Sequence, residues 1–181
     1  MTIIDRLLGH DAWTTRQLLL RCRELTEEQL NIQFEIGDRS LAGTFEHLIA
    51  VMESHTDLLL GRRTQENFLA TKALRDDESV DGMLKRLTVV AMDFADIAAQ
   101  VEREGRADEM CTDPGGTNRW PLGGVIAHVL THSMHHRAQI LFMLEQLGVK
   151  DAIEGDALGW EGQARGWGFD WCRSYGRVVV E

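Results

Sequence analysis

VDGMLKRLTVVAMDFADIAAQV, residues 80–101, decides the fold class. Val80, Met83, Leu84, Leu87, Val90, Ala91, Phe94, Ile97, Ala98 and Val101 recur every three or four residues. They therefore lie on one face of a helix of about six turns. Ser79 stands where an N-cap belongs, and Gly105 is placed to end the helix. Downstream, Asp113-Pro114-Gly115-Gly116-Thr117-Asn118 reads as a loop or small hairpin. Pro121 then opens a second long helix in the position proline tolerates best, and Gly148 closes it. Upstream, Leu41, Phe45, Leu48, Met52 and Leu59 mark a helix ending near Gly61. Another is marked by Ile4, Leu7, Leu8, Leu18, Leu19 and Cys22, with Thr2 and Asp5 as a capping box. Four amphipathic helices without a run of strands predict an all-α four-helix bundle.

The bundle is expected to occupy residues 1–149, with 150–181 as a glycine- and tryptophan-rich extension packed on the same domain. In that extension Trp160, Ala164, Trp167 and Trp171 keep helical spacing, which predicts a short helix weakened by Gly162, Gly166 and Gly168. The 181 residues carry 19 basic and 29 acidic side chains, a net charge of −10, which argues against nucleic acid and anionic membranes as partners. No basic segment followed by an apolar run opens the chain, and no stretch reads as a membrane span, so a cytoplasmic location is expected. Cys22, Cys111 and Cys172 are odd in number and widely spaced, which predicts buried free thiols rather than disulfides or a thiolate zinc site.

Four of the seven histidines, His128, His132, His135 and His136, fall within nine residues. The apolar stripe Leu122, Val125, Val129, Ile140, Met143, Leu147 has gaps that His132 and His136 fill, so both are expected to face the core. An i, i+4 pair projects two imidazoles from one face, as a helical metal site requires. His47, beside the buried stripe of its own helix, is the expected third ligand, because bundle sites draw on facing helices. Three imidazole nitrogens suit one divalent transition ion, with zinc or nickel expected. His128 extends the same face by a turn, as a ligand, an orienting partner or a proton shuttle. His10, Asp11 and Gln139 are candidates to orient a ligand, and His55 and His135 are expected at the surface or behind the site.

No glutamate follows the first histidine of either His-x-x-x-His segment, so the zincin protease motif is absent. Neither a nucleophile elbow nor a phosphate-binding glycine loop is found. Catalytic residues beyond the ligands are not legible.

The segments Ser40-Leu41-Ala42-Gly43-Thr44-Phe45-Glu46-His47-Leu48 and His128-Val129-Leu130-Thr131-His132-Ser133-Met134-His135-His136-Arg137-Ala138-Gln139-Ile140 resemble the DinB family, also grouped with YfiT-like metalloenzymes. The likeness covers roughly residues 3–149. It implies an up-down-down-up bundle, frequent homodimers, and the same ligands, His47, His132 and His136. It also implies chemistry with a low-molecular-weight thiol or another small-molecule substrate, since some relatives are thiol-dependent transferases. Three functional classes stay open: a metal-dependent transferase or hydrolase, a non-catalytic metal-binding stress-response module, and a helical interaction protein without metal.

Overall fold

The computed structural model describes residues 1–62, 77–113, 115–150, 152–153 and 155–166. Its main elements are α1 (Ile3–Cys22), the short α2 (Glu27–Leu30), α3 (Leu41–Leu59), α4 (Val80–Arg103), a hairpin of β1 (Met110–Thr112) and β2 (Arg119–Pro121), α5 (Leu122–Gln146) and α6 (Ala157–Ala164). A 3-10 turn at Ile36–Asp38 leads into α3. α1, α3, α4 and α5 form the expected all-α bundle. α4 and α5 each pack against both α1 and α3.

Local chemistry places the boundaries. Thr2 and Asp5 form a reciprocal capping box on α1, while Ser40 and Ser79 cap α3 and α4 by accepting from Gly43 N and Gly82 N. Gly105 and Gly148 take positive φ just beyond α4 and α5, the left-handed geometry that satisfies terminal carbonyls. Pro121 sits one residue earlier than expected, as the N-cap of α5 in extended conformation. The predicted turn is a true hairpin, pairing Cys111 with Trp120. α2, within a stretch read as a connector, has its own capping box from Thr26 and Gln29.

Leu18, Leu19, Phe45, Leu48, Ile49, Met52, Leu87, Phe94, Ile140 and Met143 fill the centre between the four long helices. Burying each such side chain contributes about 1.5–3 kcal/mol, enough to fix the register of the helices. Leu7, assigned to the buried stripe of α1, instead stays 41% exposed. The extension packs as a short helix on α1, where the Trp160 ring lies so near Gly9 that a β-carbon there would collide with it. His10 Nε2 also lies 2.6 Å from the Gly155 carbonyl and donates to it. Trp167, Trp171 and Cys172 lie outside the described residues. Cys22 is buried, whereas Cys111 is only half-buried; both are free thiols. Among the described residues no helix is long and apolar enough to cross a membrane.

Candidate metal centre

α3 and α5 run side by side, and their facing flanks bring His47, His132 and His136 together, with candidate ligand atoms all within 4.8 Å of one another. His132 Nε2 lies 3.2 Å from His47 Nε2 and 3.1 Å from His136 Nε2. Nitrogens bound tetrahedrally to zinc at about 2.0–2.1 Å stand about 3.3 Å apart, so the spacing is already close to that of a shared ion.

Burial differs from the sequence expectation for one of the three. His136 is buried, but His132 is only half-buried, because Ser133 takes the core slot after Val129. Ser133 follows Val129 by four residues and lies about 40° from it around the helix, whereas His132 is rotated about 60° the other way, toward α3. That rotation is what lets His132 meet His47.

Hydrogen bonding selects the donor atoms. His136 Nδ1 donates to Gln139 Oε1 at 2.7 Å, an assignment consistent with Gln139 Nε2 donating to His135 Nε2 at 3.1 Å. His136 Nε2 is then left with a lone pair aimed at His132. Gly37 makes this possible: at φ +68° it brings its backbone against the Gln139 amide, and an added β-carbon would sit 2.8 Å from Oε1. His132 Nδ1 is buried without a partner among the described residues. A single proton on His132 Nε2 cannot serve both neighbouring nitrogens well, whereas a cation among the three would engage all their lone pairs. The donor set therefore fits a divalent transition ion, and the three histidines could hold one.

Electrostatics agree. Burial drives the His132 imidazole down to about 4, reinforced by His136 and His47. His47 is lowered by burial, then by Arg39 and His136. His136 is lowered by burial against the opposing bond from Gln139. Neutral imidazoles near pH 7 are the form that ligates metal.

The remaining sequence candidates divide clearly. Gln139 orients His136, and His135 backs Gln139. His128 is exposed; its ring lies 5.4 Å from that of His132 and 5.0 Å from that of His55. With Trp120 and Val125, His55 and His128 line a cleft of about 220 Å³. Asp11 and His10 do not join the centre. Asp11 is buried against Arg137 on the α1 side, its carboxyl pushed up by burial and restrained by that guanidinium. Arg137 and the Arg86 pair with Glu53 and Glu46 escaped the sequence reading, since isolated charges on amphipathic helices ordinarily mark solvated faces. A cavity of about 730 Å³, lined by Ile4, Leu7, His10, Leu130, Met134 and Leu141 among others, lies on the flank of α5 turned away from the histidine triad.

The DinB family model matches residues 1–156, which include all three histidines and every helix of the bundle. The chain belongs to the DinB family. A search of curated proteins returns no match. This DinB protein carries the histidine triad on α3 and α5, with Gln139 hydrogen-bonded to His136.

Proposed function

We propose that this DinB protein is a metal-dependent enzyme acting on a small molecule, with one divalent ion, zinc or nickel, held by Nε2 of His47, His132 and His136. The convergence of three imidazole nitrogens, one locked by Gln139 with its lone pair inward, carries the reading. Bound there, the ion supplies Lewis acidity and lowers the pKa of a substrate water or thiol. Three protein ligands leave a coordination position for that molecule, as in catalytic rather than structural sites. Glu46 and Glu53, the carboxylates nearest on α3, are engaged by Arg86 and so are not available as a general base at the histidines. That favours a substrate that ionises readily, such as a thiol; the further preference for thiol transfer over hydrolysis rests on family resemblance.

A homodimer through the α1 and α5 flank is part of the proposal, supported by Leu7 and Met134, which remain 41% and 59% exposed beside the large cavity. A cytoplasmic location is supported by the free thiols of Cys22 and Cys111.

The test is elemental analysis of untagged protein. Wild type should hold about one ion per chain and His132→Ala none, while Gln139→Ala should bind with affinity reduced about 10–100-fold. A stoichiometric ion retained by His132→Ala would falsify the ligand assignment. Thiol transfer to an aryl halide, present in wild type and absent in His132→Ala, would distinguish an enzyme from a storage or sensing module.

A further inference from the structure

The loop before α3 carries a charge the metal centre has not yet used. It is a tight reversal in which Gln33 bridges Ser40 and Phe34 N donates to the Arg39 carbonyl at 3.2 Å. Gly37 seats it directly on the Gln139 amide that holds His136, so the loop is a fixed edge of the centre. Arg39, two residues from that contact, is half-buried. Its Cβ stands 3.9 Å from where a β-carbon on Gly43 would sit, one turn before His47 on the same face of α3.

Arg39 makes no side-chain hydrogen bond or ion pair among the described residues. Arg6, Arg23, Arg62, Arg86, Arg106, Arg137 and Arg165 all meet carboxylates, whereas Arg16, Arg103 and Arg119, which meet none among the described residues, are exposed to solvent as Arg39 is not. A half-buried guanidinium that meets no carboxylate among the described residues needs a reason. The first turn of α3 has no acidic residue, and Glu46 is turned to Arg86. Three neutral imidazoles would leave the charge of a divalent ion uncompensated, and Arg39 adds to it. Such a field favours an exogenous ligand that is itself anionic.

We propose that Arg39 is the recognition residue for a carboxylate on the small molecule that binds this centre. The planar guanidinium fork matches a carboxylate in two parallel hydrogen bonds, which fixes orientation as well as charge. The substrate class is thus a small carboxylate bearing a second group that can bind the ion. This inference rests on the metal reading above.

The test uses untagged full-length protein loaded with cobalt(II), whose content is measured before any titration. Mercaptoacetate and 2-mercaptoethanol are then titrated, following the sulfur-to-cobalt charge-transfer absorption. Chelation by mercaptoacetate is common to every variant, so the change in the affinity ratio between the two probes reports Arg39. Wild type should favour mercaptoacetate, and Arg39→Gln should reduce that ratio about tenfold, the loss of one charge-assisted pair. Arg39→Lys should restore part of it. Cobalt content and melting temperature should be unchanged in both variants, with cobalt bound slightly more tightly by Arg39→Gln because a like charge is gone. An unchanged ratio in fully loaded Arg39→Gln overturns this inference alone. Failure of wild type to take up cobalt overturns the metal reading and the inference with it.

Discussion

His132 concentrates the chemistry of the site in one side chain. It touches both His47 and His136, its Nδ1 is buried without a partner among the described residues, and burial with neighbouring imidazoles drives it down to about 4. In the unfolded chain the same group takes a proton near its ordinary value of 6.5. Between those values the unfolded state binds more protons than the folded one, so acid favours unfolding. Metal-free protein should therefore lose stability as pH falls from about 6.5 toward about 4. His132→Gln should flatten that slope, measured as melting temperature against pH; an equal slope in the variant would rule His132 out as its source. The His132–His136 pair was legible in the sequence because an i, i+4 pair needs only helical geometry, and His47 because bundle sites draw on facing helices. Ser133, not His132, filling the core slot was not, because the period of 3.6 drifts around the helix and the apolar stripe tolerates either residue.

Between α3 and α4 the decisive contact is polar. The fully buried Arg86 of α4 binds Glu53 through two hydrogen bonds of 3.0 and 2.9 Å and also reaches Glu46. These bonds outweigh the burial that would lower the Arg86 guanidinium, and hold it charged. Removing one partner leaves a buried charge without its bidentate acceptor, so Glu53→Ala should cost about 3–5 kcal/mol. Arg86→Met combined with Glu53→Leu should recover most of that loss. Urea denaturation of the two variants decides; similar destabilisation in both would mean that packing, not charge, dominates. Helix positions and two N-caps were readable, since Thr2 and Ser79 act within three residues of themselves. Arg86 read only as one cation on an amphipathic surface.

An ion bound only by the folded chain must stabilise the whole bundle. At zinc or nickel concentrations about a hundredfold above Kd, the gain of about 2.7 kcal/mol should raise the melting temperature by roughly 5–10 °C. The rise should vanish in His132→Ala; an equal rise there would place the ion elsewhere. The proposed dimer belongs to the same level of organisation: sedimentation should give a dimer for wild type and a monomer for Met134→Glu, and a monomeric wild type would discard it. Composition and periodicity sufficed for four helices, their common core and the His132–His136 pair, because each of those features is expressed within a few consecutive turns of chain, and His47 joined them through the rule that bundle sites draw on facing helices. The pairings Arg86 with Glu53 and Arg137 with Asp11 span 33 and 126 residues. The seat of Gly37 on Gln139 likewise joins segments far apart in the chain. Local periodicity carries no information on how helices are rotated and set against one another, and these contacts came into being only when the bundle closed.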